Sequence, residues 1–234
     1  VFLDAELYRD RVGALSLIDE LHSTGAIDRS LFVFVSVESV ASRWVECPCH
    51  LPFARFIDEE FFPWLEGAYP DIRGVRERVI AGLSYTGLAA AYVAMVAPSR
   101  FTKVIAQSGS FWSNDCWIVG HFERLEIKPK TEFYLDVGLR ETEENVRHKE
   151  DVLQVVSQIE GVRRFRNALL RCGYEPRYVE FDGGHDCAAW RQTLPDALRW
   201  ALPKKGRAGR KEPNSERSAS PEREAGRRLN KPVD

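Results

Sequence analysis

Apolar and polar positions alternate along residues 1–202 in short blocks, and each block reads as one element. "VFLD" reads as a short strand, and "DRVGALSLIDELHSTGAI" has helical spacing with Leu15, Ile18 and Leu21 on one face. "LFVFVSVE" is rich in Val and Phe and reads as a buried strand. "LPFARFIDEEFFPWLEGAY" reads as a helix carrying Phe53, Phe56, Phe61 and Leu65, bent or broken at Pro63. "RERVIAG" predicts a strand, and "TGLAAAYVAMVAP" a helix stopped at Pro98. "TKVIAQSG" and "EFYLDVG" predict two more strands, and "VLQVVSQIEGVRRFRNALLRCG" a long helix ending at Gly173. "RYVEFDGG" is the last expected strand and "CAAWRQTLPDALRWAL" the last helix. Short apolar strands separated by helices predict an α/β fold, a mostly parallel sheet with helices on both faces. Such sheets place their sites at the carboxyl ends of strands.

Composition narrows this picture. The 234 residues are 44% hydrophobic and 29% charged, as in a globular protein with a sizeable core. No apolar run approaches the roughly 18 to 20 residues of a membrane span. "VFLDAELYRD" lacks the basic start and long apolar stretch of a signal peptide. Val1 already stands in an apolar run and Met95 is the only methionine, so the start is either unusual or has lost an N-terminal piece. Five irregularly spaced cysteines argue against a disulfide framework and for a reducing cytoplasm. The net charge of −2 divides into a +5 tail over residues 203–234 and a −7 body. The tail's only large aliphatics are Leu229 and Val233, so a disordered basic tail is expected to follow a domain over residues 1–202. Its basic residues read as a solvated extension, and no nucleic-acid or membrane partner is expected.

The candidate chemistry begins at Gly82-Leu83-Ser84-Tyr85-Thr86-Gly87. A nucleophile elbow is usually written G-x-S-x-G; here Thr86 takes the fifth place and glycine comes one step later. Ser84 stands between a predicted strand and a predicted helix. It reads either as a nucleophile on a sharp turn or as a helix N-cap. In the first reading the Tyr85 N–H, at the positive end of the helix, is an oxyanion donor. A serine needs a base. His185, in "EFDGGHDCAAW", follows the last strand, whereas His22, His50, His121 and His148 follow none. Chain order in this architecture is serine, acid, histidine, which points to "FYLDVGLRETEEN" for the acid. Glu141 in the loop is the favoured partner, with Asp136, still in the strand, as the alternative. Trp112, Trp117 and Trp190 fall near strand ends, where they pack in the core or line a pocket for an aromatic acyl group. "CPCH" (Cys47 to His50) lacks the second pair of ligands that a tetrahedral zinc site needs. No phosphate loop or dinucleotide fingerprint is present, so no metal or cofactor is implied.

These segments together resemble the catalytic domain of the enterochelin (enterobactin) esterases, within the esterase D-like α/β-hydrolases. The resemblance runs from "VFLDAELY" through "VIAGLSYTGLAAAYVAMVAPSRFTKVIAQSGSFW" and "LDVGLRE" to "FDGGHDCAAWRQTLPDAL". It implies an α/β-hydrolase fold and a cytoplasmic serine esterase that cuts the ester bonds of iron-loaded catecholate siderophores. Ser84 would be the nucleophile, His185 the base and Glu141 the acid. The second oxyanion donor would be Ala5, or Glu6, in the loop after the first strand. Arg43 and Glu46 match the family's Arg-x-x-Glu segment, and Arg43, Arg140 and Arg191 are the arginines expected around an anionic substrate. Thr86 and Ala5 stand where the family carries glycine, and residues 1–234 contain no match to its usual N-terminal lid-like domain. The rival readings are a general carboxylesterase or acyltransferase on the same residues, and an inactive hydrolase-like binding protein. The oligomeric state is left open.

Overall fold

The computed structural model describes residues 1–204. The basic tail expected from residue 203 therefore lies outside the described residues, apart from Pro203, which bridges to Ile27, and Lys204. Chain order runs β1 (Phe2–Leu3), α1 (Ala14–Ser23), β2 (Phe34–Val35), α2 (Val40–Glu46), α3 (Leu51–Arg55), α4 (Phe62–Ala68), β3 (Val79–Leu83) and α5 (Ser84–Val96). It continues through β4 (Lys103–Gln107), α6 (Ser113–Arg124), β5 (Glu132–Gly138), β6 (Val146–Lys149), β7 (Val152–Gln154), α7 (Gln158–Arg171), β8 (Arg177–Phe181) and α8 (Cys187–Ala201). Six strands form one parallel sheet in the order β2-β1-β3-β4-β5-β8. Apolar clusters cover both faces. One includes residues of α3 to α7, and the other residues of α1 and α8. This is the parallel sheet covered on both faces that the block pattern predicts, and it agrees with the α/β-hydrolase fold that the resemblance implies.

The central segment shows why the sequence folds this way. Val79–Leu83 is buried from Ile80 onward, as a middle strand must be. α5 follows without a linking residue and buries eleven consecutive residues, Tyr85 to Met95. Its alanines are good helix formers, and their small side chains let the helix lie close against β3 and β4. α7 and α8 begin at polar caps. Ser157 accepts from the Glu160 N–H and Asp186 from the Ala189 N–H.

Four local expectations are corrected. Leu15 is exposed, and the buried stripe of α1 is Ala14, Leu17, Ile18 and Leu21. β2 is a two-residue edge strand and only half-buried, because the sheet ends there. The Pro63 helix is not broken. A wide π-helical stretch, Phe56–Phe61, joins α3 to α4, so the run is continuous and Pro63, the second residue of α4, directly follows the π-helical turn. The long helix does not begin at Val152. Residues 152–154 instead pair antiparallel with β6, and the helix waits for the Ser157 cap. Among the described residues, no helix is long and apolar enough to cross a membrane.

Candidate active site

Three non-glycine residues stand directly after parallel strands with left-handed backbone: Asp4 (φ 71°), Ser84 (φ 53°) and Ser108 (φ 44°). Such conformations persist only where surrounding structure enforces them, and they cluster at functional sites. All three sit at the carboxyl edge of the sheet, after β1, β3 and β4.

At Ser84 the turn is enforced from below. A Cβ on Gly82 would stand 2.0 Å from the Thr86 carbonyl oxygen, so only glycine fits there. A Cβ on Gly87 would approach the Gly109 Cα to 3.0 Å, so Gly87 supplies the close helix–strand contact. Thr86 is fully buried. Its hydroxyl donates to the Leu83 carbonyl (2.8 Å) and accepts from the Leu83 N–H (3.0 Å). The hydroxyl that glycine would lack is thus engaged with the strand end that precedes Ser84.

His185 Nε2 lies 2.9 Å from Ser84 Oγ, and its Nδ1 lies 2.6 Å from Glu141 Oε2. Glu141 is a buried carboxylate, and its other oxygen accepts the Gly138 N–H (2.7 Å) and the Ser108 hydroxyl (2.6 Å). A proton on Nδ1, held by Glu141, leaves Nε2 free to accept the Ser84 proton. The Trp190 ring stands edge-on to the imidazole at 4.9 Å. Asp136, the alternative acid, is buried in β5 and bonds the Ser108 N–H (3.2 Å) rather than His185. Burial pushes its carboxyl up to about 7. Tyr85 sits in the first turn of α5, whose N–H groups have no intrahelical acceptor. Ala5 is buried in the helical turn that starts directly after Asp4.

A cleft of about 440 Å³ opens in front of Ser84. Its wall is aromatic. Trp112 stacks on His148 (5.1 Å, 9°), and the Tyr85 ring meets Trp112 and Trp44 edge-on at 5.5 and 4.8 Å. Arg43 lines the cleft with its guanidinium 5.9 Å from the Tyr85 ring centroid, and its Nε donates to Asp4 at 2.8 Å. Arg140 stands at the exposed rim, paired with Asp182 (2.8 Å). Two expected substrate contacts are not brought to the cleft. Glu46 lies in the last turn of α2 and does not line it. Arg191 points the other way, donating to the Val12 and Gly13 carbonyls (2.8 and 3.2 Å), where it closes the turn before α1. Trp117 stacks on His121 outside the cleft, and Trp190 packs beneath His185.

Sequence reasoning missed Ser108, Ser110, Trp44 and His148. Ser110 Oγ lies 3.4 Å from Ser84 Oγ. His148 belongs to the β6–β7 hairpin, whose sequence signal was present: two valine-bearing segments flank the polar turn Glu150-Asp151.

The chain is also similar to known proteins over most of its described length. The model of the "Esterase" family, described as "Putative esterase", matches residues 1–201. An iron(III) enterobactin esterase of Dickeya dadantii is 26% identical over 211 residues, covering 86% of this chain and 47% of that protein. That of Escherichia coli K12 is 23% identical over 209 residues, covering 85% and 48%. The chain thus spans about half the length of the curated relatives it matches. A crystal structure of the enterobactin esterase from Shigella flexneri in the presence of enterobactin superposes with a TM-score of 0.72 at 22% identity, covering 86% of this chain and 50% of that one. A siderophore hydrolase from Aspergillus nidulans gives 0.62 at 16% identity, with 87% and 83% covered.

Proposed function

The chain belongs to the esterase family whose model spans residues 1–201, and from that premise we propose that residues 1–202 are the catalytic domain of a serine esterase acting on siderophore esters. The observation that carries the reading is the unbroken relay from Ser84 through His185 to Glu141, at 2.9 and 2.6 Å. Ser84 Oγ attacks the ester carbonyl carbon as its proton passes to His185 Nε2. Glu141 holds the imidazole in orientation and stabilises its cation. The N–H groups of Tyr85 and Ala5 receive the oxyanion, and one such donor is typically worth about 2.7 to 4 kcal/mol in the transition state. His185 then returns the proton to the leaving alkoxide. Water, activated by the same histidine, attacks the acyl-enzyme and frees the acid.

The cleft and the named relatives support the substrate class proposed. A wall of Trp44, Tyr85 and Trp112 suits planar aromatic acyl groups. Arg43 and Arg140, each already paired with an aspartate, present guanidinium N–H donors at the cleft, which suits the oxygens of the anionic complex that catecholates form around iron(III). The proposed substrate is therefore an iron-loaded catecholate siderophore ester, cut in the cytoplasm; the five unpaired cysteines favour that compartment.

A fluorophosphonate probe and two ester substrates test the reading. The probe is expected to label Ser84, and Ser84→Ala to lower kcat by about 10⁶-fold. A folded protein that never labels would instead be a binding module, and an S84A variant within about tenfold of wild type would remove Ser84 from the mechanism. Hydrolysis of a simple aryl ester but not of a ferric tricatecholate trilactone would make it a general carboxylesterase.

A further inference from the structure

Of the three left-handed residues at the sheet edge, two have an account: Ser84 as the proposed nucleophile, and Asp4 as the partner of Arg43. Ser108 takes no part in the steps above, yet it is fully buried and holds φ 44°. We propose that Ser108 is a positioning residue that, braced by Trp190, aims the Glu141 carboxylate at His185. The inference rests on the Ser84–His185–Glu141 reading.

The direction of the Ser108 hydroxyl can be deduced. Trp190 Nε1 lies 3.0 Å from Ser108 Oγ, and an indole nitrogen only donates. Ser108 Oγ therefore accepts there, and its own proton is left for Glu141 Oε1 at 2.6 Å. With the Gly138 N–H also on Oε1, two donors hold that oxygen and leave Oε2 for the imidazole Nδ1. The Trp190 ring meanwhile stands edge-on to His185, so one side chain touches the histidine and directs the hydroxyl that orients its acid. The backbone of Ser108 is held as firmly. Its N–H faces the Asp136 carbonyl at 2.9 Å and the Asp136 carboxyl at 3.2 Å, and its carbonyl accepts from Gln158. Ser108 thus stands between two buried carboxyl groups, giving its N–H to one and its O–H to the other. The left-handed backbone at Ser108 goes with this double engagement, which would account for a strained non-glycine residue at the end of β4.

Ser108→Ala and Ser108→Gly test this, with glycine relieving the left-handed strain so that folding is not the issue. Both are expected to lower kcat roughly 10- to 100-fold, the loss of one hydrogen bond to a charged group, with KM within about twofold. Trp190→Phe, which keeps the ring but loses the donor, is expected to lower kcat by a smaller factor. In a Glu141→Ala background, Ser108→Ala should cost nothing more, because its effect passes through Glu141. A merely structural serine would not show that dependence. Wild-type kcat in both Ser108 variants, or a full further loss in the Glu141→Ala background, would overturn the role of Ser108 alone. Wild-type kcat in Glu141→Ala itself would overturn the triad reading and this inference with it.

Discussion

Thr86→Val separates the two things that Thr86 could be: a brace for the elbow or an intruder beside it. Valine keeps the shape and loses the hydroxyl. In the native structure that hydroxyl donates to the Leu83 carbonyl at 2.8 Å and accepts from the Leu83 N–H at 3.0 Å. Both groups are buried, so the variant leaves an N–H without an acceptor and a carbonyl without one donor. An orphaned buried polar group costs about 1–3 kcal/mol, and a lost neutral hydrogen bond about 1. The expected destabilisation is therefore about 2 to 4 kcal/mol, or roughly 4 to 16 °C in Tm for a domain of this size. Urea unfolding followed by tryptophan fluorescence measures it. Thr86→Gly, which restores the glycine of the usual motif, is expected to be less stable still, by about 0.3 to 0.5 kcal/mol of helix propensity relative to a β-branched residue. The reasoning fails if Thr86→Val unfolds within about 0.5 kcal/mol of wild type, or if Thr86→Gly turns out both stable and more active. The first result would mean that the hydroxyl contributes nothing to stability, the second that Thr86 is an encumbrance.

Two further outcomes are expected. Arg191→Ala should leave kcat/KM unchanged while lowering stability by about 1 kcal/mol, since the guanidinium, itself exposed, caps the Val12 and Gly13 carbonyls and does not meet the cleft; a raised KM with unchanged stability would return Arg191 to the substrate. Asp136 carries a carboxyl raised by burial from 3.8 to about 7, and Tyr8, Tyr134 and Glu141 are the titratable groups coupled to it. The unfolded chain gives up that proton first, so this group's contribution to stability declines as pH rises from about 4 to about 7 and is level above that. Asp136→Asn should flatten the stability–pH curve across that window, as chemical denaturation at several pH values would show; an unchanged slope would refute the assignment.

The relay is legible in the sequence because each of its parts leaves a local mark. Ser84 lies at a strand-to-helix junction with glycines placed for close packing. His185 follows the last strand through Gly183 and Gly184, and Glu141 stands three residues past the end of a strand. The order of these marks along the chain reflects the order in which a parallel sheet delivers strand ends to one edge. The misreadings also have local causes. Leu15 fits a helical period as well as Leu17 does, and only packing against the sheet decides which face is buried. The run beginning at Val152 is apolar enough for a helix, but Val152, Leu153 and Gln154 find a hairpin partner in β6.

What the sequence determined by itself was the alternation of elements, the glycine that the elbow requires at residue 82, and the residue types of the relay. Tertiary structure alone decided which arginines face the cleft, that Trp44, Trp112 and His148 share its wall, and that Ser108 and Trp190 brace an acid and a histidine. Those pairings join residues far apart in the chain: Trp190 and Ser108 are 82 positions apart, and Arg191 and Val12 are 179. Hydrophobic period and turn chemistry act over a few neighbours. A hydrogen bond between distant segments depends on sub-ångström placement of whole strands and helices, and that placement is settled by how the entire core packs.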